Sequence, residues 1–553
     1  MAPADALPAT IHPVLRRVYA QRGVLNGAEL MLGLQQLLPP ALSGLDRACE
    51  LLAAGLDLPI TVVGDYDTDG ATATALAVLG LRALGARQVD YLVPSRFTQG
   101  YGLSPALAEA AAARGTRLLV TVDNGIASLA GVARAKELGL QVVVTDHHLA
   151  GPRLPVADAI VNPNQPGCGF SSKHLAGVGV MFYLLGALRA RLRESGAFRT
   201  RPEPVLADFL DLVATGTVAD VVRLDHNNRV LVAQGLARIR HGRARPGLLA
   251  LLQVAGRAAE RVSSSDLGFA VGPRLNAAGR LEDMALGIEC LLCADPAEAL
   301  AMAQRLDQLN RERREIESQM RDEAMAMVEQ VDAGAVGLSL FDAGWHEGVV
   351  GLVASRVKER LHRPVVAFAR AQEAGLLKGS ARSIPGLHVR DALAAVDAAL
   401  PGTIVRFGGH AMAAGLTLPE SALPAFKAQF DAVCRSWLQP ADLDHVLESD
   451  GELAAAELSL DTARALEGAG PWGQGFPEPL FDGRFEVEGA RIMGERHVRY
   501  RLRHQGRLLE AIHFGGAESR RESGTVEVAY RLAVNRYQGY ETPELRVELL
   551  GPA

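Results

Sequence analysis

From Leu58 onward, short β-branched runs alternate with longer Ala- and Leu-rich stretches of helical spacing. LPITVVG, VDYLVPS (around Asp90 to Ser95), RLLVTVDNG, LQVVVTDHH and AIVNPN read as successive strands. Strands separated by helices predict a parallel, doubly wound α/β sheet with right-handed crossovers. Before it, HPVLRRVYAQRG and LMLGLQQLLPP read as two short helices, the second ending at Pro39 and Pro40. After it lies a helical region that includes the largely apolar DFLDLVATGTVADVVRL, around Asp208 to Leu224. Leu306, Leu309, Ile316, Met320, Met327 and Val331 then step by threes, fours and sevens, which predicts one long amphipathic helix. At about 1.5 Å per residue it spans roughly 50 Å, so it reads as a strut between domains, with a coiled-coil partner helix as the alternative. A second α/β pattern opens at GAVGLSLFD and runs through TIVRFGGHAMAAGLTL. From Phe481 the chain alternates apolar and polar through several short strands, which predicts a small β-barrel of the OB-fold type.

The pattern divides the chain into a helical segment 1–45, a first α/β domain 46–295, the connecting helix 296–332, a second α/β domain 333–440 and the barrel 441–553. QPADLDHVLESDGEL is a polar linker, so a cut after about Leu443 is expected to remove the barrel and leave the chemistry in place.

The chemistry gathers at strand ends. Asp65, Asp67 and Asp69 follow the first strand, Asp123 the third, and Asp146, His147 and His148 the fourth. In an open parallel sheet the ligand site lies outside the carboxyl ends of the strands, so these groups share one edge. Clustered carboxylates repel one another, and hard divalent cations with oxygen ligands are the natural compensation. An Asp-rich surface turn is the alternative for the first three. Asp220, in VADVVRL, is either a structural buried Asp or a further ligand. Arg274, Asn276 and Arg280 lie in VGPRLNAAGRLEDM, read as a Gly-containing loop suited to a phosphate, or as a plain helix-start loop. Lys378, Ser380 and Arg382 in LLKGSARS, with Gly408, Gly409 and His410 in RFGGH, also suit phosphate. On the barrel, HVRYRLR puts Arg499, Arg501 and Arg503 on one face, as a single-strand groove or a solvated surface; Tyr537 and Tyr540 could stack on bases.

Composition narrows this modestly. The chain is 48% hydrophobic and 22% charged, as in ordinary globular proteins. A net charge of −6 argues against a blanket nucleic-acid binder but not against a local basic groove. Five scattered cysteines suit reduced thiols, and Cys290–Cys293 has no second pair to complete a zinc site. There is no secretory pattern at the start and no apolar run of spanning length, so a cytoplasmic location is expected.

DYDTDG, VDNG, TDHH and VAD, in this order, resemble the DHH phosphoesterase superfamily, and GSARS and RFGGH resemble its accessory DHHA1 domain. With the Arg274–Arg280 segment, the long helix, GPWGQGFPEPLF and the terminal barrel, the resemblance covers nearly the whole chain. It points to the superfamily's bacterial single-strand-specific 5′→3′ exonucleases. The resemblance implies hydrolysis of single-stranded DNA to mononucleotides, in repair and recombination, with two Mn²⁺ or Mg²⁺ ions. Asp65, Asp67, Asp69, Asp123, His147 and Asp220 would be the metal ligands, with Asp123 bridging; a His ligand favours Mn²⁺. His148 would contact the scissile phosphate or act as an acid, with Asp65 and Asp123 beside it. Arg96, Arg274, Asn276, Arg280, Ser380, Arg382, Gly408, Gly409 and His410 would bind the strand. The implied partners are single-stranded DNA, a single-strand-binding protein and a helicase, for a monomer away from membranes. A small-molecule or short-oligonucleotide phosphoesterase is the alternative, but it would need neither the long helix nor the barrel. A non-catalytic scaffold would not need the ligand set.

Overall fold

The computed structural model describes residues 7–96, 101–330 and 334–552. Its first sheet is wholly parallel and comprises β1 (Pro59–Val63), β2 (Gln88–Leu92), β3 (Leu118–Val122), β4 (Gln141–Thr145) and β5 (Ala159–Val161), in the order β2-β1-β3-β4-β5. The winding reverses between β1 and β3, and a crevice opens at their carboxyl ends. The apolar runs of β1, β3 and β4 are buried almost throughout because helices cover both faces. The open edge at β2 is blunted: Arg82 donates to Val89 O (2.7 Å) and Arg114 to Tyr91 O (3.2 Å).

The second sheet contains β6 (Leu338–Phe341), β7 (Val365–Arg370), β8 (Leu376–Arg382), β9 (Arg406–Gly409) and β10 (Ala413–Pro419), ordered β6-β7-β8-β10-β9. Helix Pro296–Val328 joins the two sheets. Asp295 caps it by accepting from the amides of Ala297 and Glu298, and Pro296 fits its first turn. Ala299, Ala303, Leu306 and Leu309 are buried in the first core, whereas Met320 and Ala324 join the core that holds Leu338, Leu340 and Val365. Its apolar stripe thus continues because two different cores bury it in succession, and it is a strut. Between the cores, Glu317 pairs with Arg313 on the same helix and with Arg356 (3.0 Å) on helix Val350–Leu361. Val331 and the boundary drawn at 332/333 fall outside the described residues.

Several expected elements differ. LMLGLQQLLPP is not a helix: a 3₁₀ turn, Gly27–Leu30, ends at its first residue and a second, Leu34–Gln36, lies within it. Side chains from other helices take its backbone groups: Gln234 donates to Leu32 O, Tyr183 to Leu38 O, and Asn227 accepts from Leu38 N. The second strand stops at Leu92, two residues before Pro94, which has no N–H for a ladder. The helix expected around Asp208 to Leu224 spans only Leu210–Ala219. The loop expected around Arg274 is helix Gly272–Leu281, entered through a π-helical turn at Leu267–Val271; Pro273 sits in the first turn, where a missing N–H costs nothing.

The C-terminal barrel is closed by β11 (Phe481–Met493), β12 (His497–His504), β13 (Arg507–His513), β14 (Gly524–Tyr537) and β15 (Tyr540–Pro552). It is not a detachable module. Its core residues Phe481, Phe485, Tyr500 and Tyr530 belong to one continuous apolar cluster with Leu52, Ile60 and Leu76 of the first domain. The join is aromatic: Tyr19, Trp472 and Phe476 stack with centroids 5.3–6.2 Å apart, and the Arg229 guanidinium lies 3.9 Å over Phe476. Beside it Arg22 forms a buried ion pair with Asp450, which also accepts from Leu480 N. A cut after Leu443 would therefore expose part of the first domain's core. Phe476→Ala should cost about 3–5 kcal/mol in urea unfolding. The chain cut after Leu443 should unfold at lower urea than the intact protein; equal midpoints would contradict the shared core.

Candidate metal centre

Three strand-end segments and one helix end build the site. Asp65 follows β1 directly. Asp67 is the N-cap of helix Thr68–Ala83, accepting from Gly70 N (3.0 Å). Asp69 lies in that helix's first turn and accepts from the amides of Gly177 (2.6 Å) and Val178 (3.0 Å), at the start of helix Gly177–Glu194. Two glycines permit this closeness: a Cβ at Gly70 would lie 2.7 Å from the Asp65 backbone, and one at Gly177 would lie 2.5 Å from Asp123 Cβ. Asp123 leaves β3 with φ +60°. Its neighbour Asn124 pins the turn by donating to Val63 O and Val122 O. Asp220 follows helix Leu210–Ala219.

These groups converge. Asp65, Asp67 and Asp123 present ligand atoms within 4.8 Å of one another, as do Asp69, His147 and Asp220, and Asp123, His147 and His148. The triads interlock through Asp123 and His147; His147 Nε2 lies 3.1 Å from Asp123 Oδ1 and 3.5 Å from Asp220 Oδ2. Asp65 Oδ1, Asp123 Oδ1, His147 Nε2 and Asp220 Oδ2 are buried with no hydrogen-bond partner. Three carboxylate oxygens and an imidazole nitrogen, each with a free lone pair, form a donor set that fits divalent cations such as Mn²⁺.

Without cations the cluster resists ionisation. Burial, with the charge of Asp67, pushes Asp65 well up; burial and Asp69, Asp67, Asp220 and Asp65 do the same to Asp123. Burial and Asp220 raise Asp69 to about 7, and burial and Asp67 raise Asp220 to about 8. Asp146 differs. Burial opposes its ionisation, but it accepts from the amides of Ile126, His147 and His148 and from His148 Nδ1 (2.8 Å), and stays below the usual carboxylate range. Burial alone would lower His148, yet the Asp146 hydrogen bond and charge lift it to about 9. Tyr101 completes this support: its hydroxyl donates to Asp123 O (2.9 Å) and lies 3.0 Å from His148 Nδ1. The sequence reading missed Tyr101, which no motif marks, and left Asp146 without a role although it stands in TDHH.

The second domain closes over this edge. The β9–β10 hairpin, with Gly408 and Gly409 in β9, brings His410 against His148, rings 6.0 Å apart. Arg382 and Ser380 lie on β8, with Arg382 donating to Ser380 Oγ (3.2 Å) and Ser355 Oγ (3.1 Å). Arg280 donates to Gly348 O across the domains (2.9 Å); burial and its neighbours Arg96, Arg382 and Arg313 push it down to about 9. Neither Arg280 nor Arg382 forms an ion pair with a carboxylate among the described residues. Arg96 lies 4.0 Å over the Tyr66 ring and donates to Gly279 O. One expected phosphate contact is corrected: the Arg274 guanidinium is held by Asp307 (2.7 Å) and Ala270 O and braces helices instead. Asn276 Oδ1 accepts from Thr68 N (2.9 Å), a contact that does not engage its Nδ2 donors. On the barrel, Val498, Tyr500 and Leu502 face inward and Arg499 and Arg501 outward. The row is partly neutralised: Arg503 pairs with Glu488 (2.6 Å) and Arg501 lies opposite Glu510. Tyr537 and Tyr540 are 68% and 78% exposed at the β14–β15 hairpin tip.

The DHH family, N-terminal domain, matches residues 59–217; the DHHA1 domain matches 327–436 and the RecJ OB domain 449–549. The chain is 53% identical over 563 residues to the single-stranded-DNA-specific exonuclease RecJ of Dickeya dadantii, covering 99% of this chain and 97% of that protein. It is 51% identical over 560 residues to that of Escherichia coli, with the same coverage. Its fold is similar to the crystal structure of RecJ in complex with Mn²⁺ from Thermus thermophilus, with a TM-score of 0.82 and 33% identity over 98% of this chain and 76% of that one.

The raised carboxyls set a pH dependence. A carboxyl whose folded pKa lies above its unfolded value makes the native state bind the extra proton, so stability falls as pH rises through the folded pKa. In chelator, the melting temperature should fall between about pH 4 and pH 8, the window set by Asp69 and Asp220. Saturating Mn²⁺ should flatten that fall, because a cation replaces the proton. Calorimetric scans across pH check both, and a fall of the same slope with and without Mn²⁺ would contradict the site.

Proposed function

The chain belongs to the RecJ family of single-stranded-DNA-specific exonucleases, and from that premise we propose that it hydrolyses single-stranded DNA from the 5′ end at a two-ion centre. The observation that carries the reading is the pair of neighbouring features: interlocked triads with partnerless buried lone pairs, and arginines without carboxylate partners beside them. Asp65, Asp67, Asp69, Asp123, His147 and Asp220 would hold the ions, Mn²⁺ or Mg²⁺, Asp123 being common to two of the triads. The chemistry such ions supply is stabilisation of the attacking and leaving oxygens of an in-line displacement.

The chain's own groups do the rest. Asp146 accepts from Nδ1 of His148, and the Tyr101 hydroxyl, 3.0 Å from Nδ1 and 3.4 Å from Nε2, braces the ring, which contacts the scissile phosphate or gives a proton to the leaving oxygen. Arg280, Arg382 and Ser380, with Arg96 nearby, seat the terminal phosphate, which gives the reaction its 5′→3′ sense. His410, presented by Gly408 and Gly409, covers the site from the second domain. Arg499 and the exposed tyrosines of the barrel carry the trailing strand by phosphate contact and base stacking. A substrate that must be single-stranded gives a helicase and a single-strand-binding protein as working partners of a monomer. Reduced thiols and the DNA substrate support a cytoplasmic location; no helix among the described residues is long and apolar enough to cross a membrane.

Digestion of end-labelled single strands of each polarity, with Mn²⁺ or Mg²⁺, tests the reading. Asp123→Ala should lose several kcal/mol of transition-state stabilisation, about a thousandfold or more in single-turnover rate. A rate within tenfold of the unaltered enzyme would rule out its place as shared ligand. Arg382→Ala should remove a charged hydrogen bond of about 1.5–3 kcal/mol, raising KM for 5′-phosphorylated strands roughly ten- to hundredfold while leaving 5′-hydroxyl strands little changed. Equal discrimination by the two proteins would separate Arg382 from the terminal phosphate.

A further inference from the structure

Asp220 stands at the end of helix Leu210–Ala219 and, like Asp65 and Asp123, has a buried carboxylate oxygen without a hydrogen-bond partner. Asp69 and Asp67 accept backbone hydrogen bonds, and Asp123 is flanked by the pinned Asn124. No hydrogen bond reaches the Asp220 carboxylate among the described residues, and its Oδ2 is buried without a partner. His147 Nε2 lies 3.5 Å from that oxygen, too far for a firm hydrogen bond, so the placement of the carboxylate depends on the backbone that carries it. That backbone is strained: the next residue, Val221, adopts φ +60°. A β-branched residue in the left-handed region is an outlier and persists only where its surroundings over-determine it.

The over-determining contacts come from the far end of the chain. Leu224 N donates to Gln474 O (2.7 Å). Gly473 lies so close to Leu224 that a Cβ there would sit 2.7 Å from Leu224 Cδ1, and a Cβ at Gly475 would sit 2.4 Å from Arg223 Cγ. The segment is itself rigid. Gly473 and Phe476 exchange both backbone hydrogen bonds (2.9 and 3.0 Å), Ser264 donates to Trp472 O (2.6 Å), and Arg229 covers the Phe476 ring. From the opposite side, Asn228 donates to Arg223 O (2.9 Å). The turn 221–224 is thus clamped between helix His226–Arg240 and the segment that leads into the barrel.

We infer that the Trp472–Phe476 turn is a positioning element for the metal centre: it holds the strained Asp220–Leu224 turn and so places the Asp220 carboxylate. The inference rests on Asp220 holding an ion.

Calorimetric titration of the full-length protein with Mn²⁺ tests it. The unaltered chain should bind two ions, and Asp220→Asn should weaken one. Phe476→Leu, which keeps an apolar side chain but removes the ring under Arg229, and Gly473→Ala should each weaken that same ion about tenfold and leave the other unchanged. Adding Val221→Gly to either should recover most of the loss, because glycine takes φ +60° without help. A purely structural role for the turn would not give that rescue. Folded variants that bind both ions normally, or a loss that Val221→Gly does not relieve, overturn the inference. A measurement on the unaltered chain does not depend on the variants folding. Linkage is reciprocal, so Mn²⁺ should slow hydrogen exchange at the Leu224 amide more than at the Leu502 amide of the barrel. Equal slowing overturns the inference. If the unaltered chain binds no Mn²⁺, or Asp220→Asn binds both ions normally, the metal reading fails instead.

Discussion

Mutual repulsion among buried carboxylates is the constraint around which the molecule is arranged. Asp65, Asp69 and Asp123 are buried and Asp67 and Asp220 half-buried beside them, and two of the five are pushed to about 7 and 8. Such a cluster costs stability until cations fill it. The fold absorbs the cost with backbone geometry: strand ends that aim at one crevice, helix N-termini at Thr68 and Gly177, glycines at 70 and 177, and an Asp at positive φ. The surrounding core is correspondingly rigid, with β1, β3 and β4 buried on both faces.

A second constraint is that the opposing wall comes from another domain. Helix Pro296–Val328 is rooted in one core at each end, and its middle is fastened to helix Val350–Leu361 through Glu317 and Arg356. The distance between His148 and His410 is therefore set by a continuous helix rather than by a flexible linker. Arg280 to Gly348 O and Lys378 to Arg96 O tie the same two walls together directly.

The first sheet and its acidic edge were legible because β-branched runs end at the residues that matter; Asp65 to Asp69, Asp123 and His147 need only that periodicity to be placed together. The five-stranded barrel was legible for the same reason, from period-two alternation. What failed were segments whose local signals point one way while tertiary contacts point another. GPRLNAAGR carries Gly, Pro and Asn and reads as a loop, yet Arg274 finds Asp307 on the strut and Asn276 finds Thr68, and the segment is helical. LMLGLQQLLPP has helical composition, but its carbonyls are claimed by Gln234 and Tyr183. Tyr101 is one aromatic among many until the fold brings it to His148. The Arg row on β12 was read correctly as a face, but cross-strand Glu488 and Glu510 could be located only once the register was known.

The aromatic join between Tyr19 and the Trp472–Phe476 turn also bears on how the protein is made. Tyr19 donates its hydroxyl to Ala469 O across 450 residues of sequence. A ribosome adds about 5–20 residues per second, so roughly 20 to 90 s separate the synthesis of the two halves of that contact. For all that time the first domain carries an open apolar face and, on the inference above, an unsupported Asp220. The nascent chain then holds its metal centre less firmly, and the site reaches full affinity only when the last fifth of the protein has emerged and docked. Such timing leaves the exposed apolar face to chaperones during synthesis.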